Sequence, residues 1–115
     1  MNYYLKYTIA AVVVALAIPA AAAGGGGSGL VRSIIVTTGG VVIFTMDIHT
    51  GAPACSGVDA FKNDFAIDGS TVHGKNTYAL LLAAANQKKP VTVVGTGACS
   101  VWPFREDVNY LFVTY

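Results

Sequence analysis

Few side chains in this sequence carry intrinsic reactivity. Asp47 and His49 stand two apart, the spacing at which a strand shows both on one face and a carboxylate can orient an imidazole as a base. His73 is the other histidine. Neither histidine has a second one three or four residues away, and neither Cys55 nor Cys99 has a Cys or His at ligand spacing, so no metal and no cofactor are expected. A Gly-x-Ser-x-Gly elbow is lacking, and no catalytic residue is assigned. Gly95-Thr96-Gly97 has the look of a phosphate-binding turn, but no third glycine, no Gly-Lys-Ser/Thr and no helix start follow it, so a strand-end turn is the simpler reading. The candidate binding residues are Trp102 and Phe104, which flank Pro103 in the short polar segment SVWPFRED. Such aromatics stack on sugar rings or anchor protein partners; the alternative is a hydrophobic plug folded back over the end of the domain.

The stretch that positions these residues is PVTVVGTGACSV, Pro90 to Val101, a β-branched run ending in a glycine-punctuated corner that carries Cys99. Leu30–Thr38 and Val41–His49 form a hairpin around Gly39-Gly40, read as a two-residue turn. That turn predicts Thr38 opposite Val41, Ile35 opposite Phe44, Ser33 opposite Met46 and Arg32 opposite Asp47. A cross-strand ion pair then explains Asp47 more simply than catalysis does, and His49 is expected to be solvated at a strand end. Thr50–Asp64 reads as a loop. Phe65–Asp68 is a short strand with Phe65 and Ile67 inward and Ala66 and Asp68 outward. From Gly69 to Lys89 the period becomes helical, with Ser70 or Thr71 as cap, Tyr78, Leu81, Leu82 and Ala85 as the inner stripe, and Pro90 as the stop. Leu80, Ala83 and Ala84 fall outside that stripe. On the last strand, Val108–Tyr115, Leu111, Val113 and Tyr115 form one of two apolar faces. These six residues are the candidate oligomer surface, because both the helix and the strand have more apolar faces than one core can cover.

Residues 1–23 have a polar start with Lys6, an apolar run from Ile9 to Ile18, Pro19 and then alanines, the layout of a cleavable secretory signal with an Ala-x-Ala site near Ala23. The run is about half of the roughly 20 residues a membrane helix needs, so no stable membrane insertion is expected after cleavage. Residues 24–29, GGGGSG, have the composition of a flexible segment, and 30–115 form one domain. Without Lys6, Arg32, Lys62, Lys75, Lys88, Lys89 and Arg105 balance Asp47, Asp59, Asp64, Asp68, Glu106 and Asp107, so there is no basic field for nucleic acid. A domain of about 90 residues buries little more than roughly 60% of its extended-chain surface and gains from a staple. Two cysteines in an exported chain predict the Cys55–Cys99 disulfide, which contributes on the order of 4 kcal/mol by restricting the unfolded chain.

The element order predicts a mainly β, α+β fold: a small OB-like five-stranded barrel with its helix between strands 3 and 4. The export signal, the paired-strand start, a cysteine ahead of the helix, and the runs GKNTYALLLAAA, PVTVVGTGACSVW and VNYLFVTY together resemble the B subunit of bacterial subtilase cytotoxin and the small exported proteins similar to it. The resemblance covers nearly the whole mature chain. It implies an OB-fold subunit that assembles into a ring of five and binds glycans as part of a toxin, although no glycan-contacting position carries over residue by residue. The expected function is a secreted or periplasmic, non-enzymatic binding subunit, a homo-oligomer with a glycan or protein ligand. The alternatives are a small secreted enzyme or enzyme inhibitor using Asp47, His49 or His73, or a structural envelope protein.

Overall fold

The computed structural model describes residues 24–115; the expected signal segment, 1–23, lies outside the described residues. Five strands and one long helix follow in the order β1 (Gly26–Val36), β2 (Val41–Thr50), β3 (Asp64–Asp68), α1 (Val72–Asn86), β4 (Val91–Gly95) and β5 (Glu106–Val113). The strands close into a barrel in the order β1-β2-β3-β5-β4, with β3 and β5 parallel and every other pair antiparallel. This is the expected mainly β fold with its helix between the third and fourth strands. Val42, Phe44, Met46, Phe65, Ile67, Val91, Val93 and Leu111 fill the barrel, and α1 covers it through Leu81 and Ala84.

The glycine-rich segment is not a flexible tail. Gly26 to Gly29 open β1 and pair with β4, and Gly26 to Ser28 also pair with β2 on the other side, so this run closes the barrel. Glycine is needed there for room: a Cβ on Gly27 would lie 2.6 Å from Cε2 of Phe65. A composition that reads as disorder is here dictated by a ring packed against bare backbone.

The hairpin forms, but its register is one residue from the two-residue-turn expectation. Val36 pairs with Val42, Ile35 with Ile43, Ile34 with Phe44 and Ser33 with Thr45. The turn runs Thr37 to Gly40, closed by Gly40 N–H donating to Thr37 O at 3.1 Å, and Gly40 takes φ +82°, the left-handed residue of a longer glycine-bulge hairpin. Arg32 still reaches Asp47, because β1 is irregular between Ser28 and Ser33 and Arg32 lies in the bulge.

Helix α1 is capped by Thr71, whose hydroxyl accepts from Gly74 N–H at 2.9 Å. Its buried face is Gly74, Thr77, Leu81 and Ala84, rotated from the expected stripe, and Leu82 is exposed. Two residues of the candidate oligomer surface are therefore corrected: Ala84 is fully buried under the helix and Leu111 points into the barrel. Leu80 and Val113 also pack against the core, half-buried. A bulge at Asn109 on β5 causes the change in the strand. Val94 pairs with Tyr110 but Gly95 pairs with Val108, which turns Val108 inward along with Leu111 and Val113 and leaves Tyr110 and Phe112 outside. Ala83 and Tyr115 remain exposed. Ala66, expected outside, is also buried.

Candidate functional site

The last strand begins two residues earlier than its hydrophobic pattern suggests, because Glu106 and Asp107 pair in parallel with Phe65 and Ala66. Adjacent on a strand, the two carboxylates point to opposite faces. Glu106 points into the barrel and is fully buried. One of its oxygens accepts from Gly25 N–H and Gly97 N–H, each at 2.8 Å, and the other meets Nε2 of His49 at 2.8 Å. His49 is not solvated as expected: its side chain is wholly enclosed, its ring lies 4.1 Å from that of Phe65, and Nδ1 has no hydrogen-bond partner. The Gly95-Thr96-Gly97 turn thus does bind an anion through its backbone, namely the chain's own Glu106.

Asp107 organises the outer side of the same corner. Its carboxylate accepts from Ser100 N–H at 3.0 Å, from Val101 N–H at 2.9 Å and from the Ser100 hydroxyl, while its backbone N–H donates to Ala98 O at 2.8 Å. The Cys55–Cys99 disulfide forms in this corner, with Cα atoms 6.1 Å apart, and pins the 51–63 loop to it. Residues 96–101 are therefore fixed by two carboxylates and one covalent bond.

From this anchored base projects the Trp102–Arg105 turn. Trp102 and Arg105 form an isolated bridge, with Arg105 N–H directed at Trp102 O at 3.4 Å. Pro103 cannot take a positive φ, and Phe104 has φ +63°, which together define a type II turn with Phe104 at the position that ordinarily demands glycine. Phe104 is 51% exposed. Arg105 steadies the turn from behind: its guanidinium lies 3.6 Å from the Phe61 ring centroid, contacts Asp64 at 3.4 Å and donates to Pro103 O at 3.2 Å. Asp64 in turn accepts from the Thr45 hydroxyl at 2.6 Å, which accepts from Ser33 at 2.9 Å. The stack and the ion pair anchor Arg105 at the base of the turn.

The three residues of the enzyme alternative have separate partners. Asp47 accepts from Leu30 N–H at 2.7 Å and from Nε of Arg32, His49 meets Glu106, and His73 meets Asn109 O at 2.8 Å. The Leu30 backbone N–H and then the Arg32 guanidinium hold the Asp47 carboxyl below its ordinary value. Among the described residues no group of three or more His, Cys, Asp or Glu side chains could hold a metal ion, and no helix is long and apolar enough to cross a membrane.

Trp102 and Phe104 were legible as a polar-loop aromatic pair, and Cys55 and Cys99 as a disulfide. The Glu106–His49 pair was not: its members are 57 residues apart, and a glutamate inside RED at a loop end gives no sign of burial. No protein-family model, curated protein sequence or solved structure matches this chain.

Proposed function

We propose that this chain is an exported, non-enzymatic binding subunit of the subtilase cytotoxin B-like kind, and that the Trp102–Arg105 turn is its ligand-contacting element. One observation carries the reading: an aromatic side chain half-exposed at a left-handed backbone position that glycine would occupy without strain. Such a conformation costs on the order of 1–3 kcal/mol and persists where the surroundings over-determine it. The surroundings here are the Asp107 cage, the disulfide and the Arg105–Phe61 stack. A ring that served only to plug the domain would be buried instead.

The ligand class that suits the turn is a glycan, since the exposed flat ring of Phe104 offers a stacking face to a sugar. Assembly of several copies fits the same reading. Ala83 and Tyr115, with Leu82, Tyr110 and Phe112, leave apolar area uncovered on α1 and β5. The test is a glycan array probed with the mature chain and with Phe104→Gly, alongside a solution mass measurement. Glycan signals lost in Phe104→Gly, with folding retained, support the reading; no glycan signal from the wild-type chain, or equal signals from both, refutes it.

A further inference from the structure

The geometry points to a second, separate binding site for a small organic anion, in the cleft between β1 and the C-terminal end of α1. The cleft has a volume of about 380 Å³ and is lined by Leu30, Val31, Arg32, Ala85, Lys88 and Lys89. That size is within the range of small-ligand pockets. Its lining pairs three cationic residues, Arg32, Lys88 and Lys89, with three apolar ones.

Both walls are shaped by local departures from regular structure. On β1 the pairing with β2 slips between Ser28 and Val31 and again between Val31 and Ser33, so the segment facing the cleft is an irregular bulge. Bulges of this sort re-aim side chains, and they gather beside binding sites. Asp47 spans the irregularity from the other strand, one carboxylate oxygen taking Leu30 N–H at 2.7 Å and the other taking Nε of Arg32. It is a positioning residue for the β1 wall. On the helix side, Lys88 N–H donates to Ala85 O at 3.2 Å and Lys89 N–H to Ala84 O at 2.9 Å, the paired bonds of a Schellman ending. Lys88 occupies its left-handed position at φ +53°, where glycine is usual. The last carbonyls of α1 are thereby satisfied by backbone, and neither lysine ammonium forms an ion pair among the described residues.

Arg32, Lys88 and Lys89 against Asp47 alone give this cleft an excess of two positive charges, although the formal charges of residues 24–115 as a whole cancel. The matching occupant is a compact apolar body bearing one carboxylate, sulfonate or sulfate, its head toward the lysines and its body against Leu30, Val31 and Ala85. This site is independent of the aromatic turn: a Phe104 variant leaves it intact.

The experiment is a titration of the isotope-labelled mature chain with naphthalene-2-sulfonate, and with the neutral naphthalene-2-sulfonamide, followed by backbone amide shifts. The sulfonate is expected to give saturable shifts concentrated at residues 30–32 and 85–89, and the sulfonamide to bind about tenfold more weakly. A Lys88→Gly/Lys89→Gln double variant is expected to lose about tenfold in sulfonate affinity with its amide spectrum otherwise preserved, because glycine relieves the backbone at position 88. Equal binding of the two probes, unchanged affinity in the double variant, or shifts scattered over the surface would overturn the proposal. So would a double variant that changes the solution mass, which would make the cleft a contact between copies.

Discussion

Phe104 and Glu106 are two residues apart and solve opposite problems. Glu106 is a carboxyl group enclosed in the barrel, and each of its oxygens has a partner: Gly25 and Gly97 backbone N–H on one, His49 on the other. Phe104 is an apolar ring left half in water on a backbone conformation it does not favour. Burial of a carboxyl group with both oxygens partnered is a feature of the fold, even though Nδ1 of the paired His49 is left without a partner. Apolar exposure with local strain is a feature the fold does not need. The contrast separates the scaffold from the surface that it presents.

The sharpest way to break this contrast is at the buried end. Glu106→Ala would leave two backbone N–H groups and the His49 imidazole without their partner inside the protein. A loss of about 3–5 kcal/mol is expected, the range for breaking a buried pair, as a shift of the denaturant midpoint. Against a total stability of about 5–15 kcal/mol, that removes between roughly a fifth and all of it. A Glu106→Ala protein as stable as wild type would show that the buried contacts contribute nothing.

Gly27→Ala tests the neighbouring close approach. Its new Cβ would sit 2.6 Å from Cε2 of Phe65, so the ring or the strand must shift. Overpacking of this kind costs about 1–3 kcal/mol, to be read as a lower melting temperature. A neutral outcome would mean that glycine at 27 reflects chain flexibility after all.

A smaller effect is expected from the exposed carboxylates. Asp47 and Asp68 both titrate below the ordinary 3.8, Asp47 because of the Leu30 N–H and Arg32, and Asp68 because of the Ser70 hydroxyl and N–H. A lowered folded-state value means that the stabilisation is complete above the ordinary value and disappears as pH falls through the folded one. Asp47→Asn should therefore cost stability at neutral pH and flatten the acid limb of the melting-temperature profile below about pH 4. An unaltered acid limb would show that the Leu30 and Arg32 contacts do not hold in solution.

How much of this was legible in the sequence follows from how local each cause is. The helix declares itself through its period, its Thr71 cap and Pro90, and the disulfide through two cysteines behind a segment read as an export signal. The mainly β fold with its helix between the third and fourth strands follows from the element order, whereas the pairing order of the strands was not read. The hairpin register was missed by one residue because Gly40, rather than a two-residue turn, absorbs the positive φ. Gly26 to Gly29 read as disorder because composition carries no record of the Phe65 ring that excludes larger side chains. The Glu106–His49 pair was hidden by distance along the chain. Of the candidate site, the aromatic pair was visible in the loop. The left-handed backbone under Phe104 was not, since Pro-Phe does not announce a type II turn as Pro-Gly does.

The most direct test of the division between scaffold and presented surface is the stability of Phe104→Gly compared with Phe104→Ala and wild type, by denaturant unfolding of residues 24–115. Glycine relieves the backbone while alanine keeps it strained, so Phe104→Gly is expected to be about 1 kcal/mol more stable than Phe104→Ala and within about 1 kcal/mol of wild type. If Phe104→Gly instead loses about 3 kcal/mol or more, as a buried aromatic does on truncation, the ring belongs to the core and the turn is not a binding element.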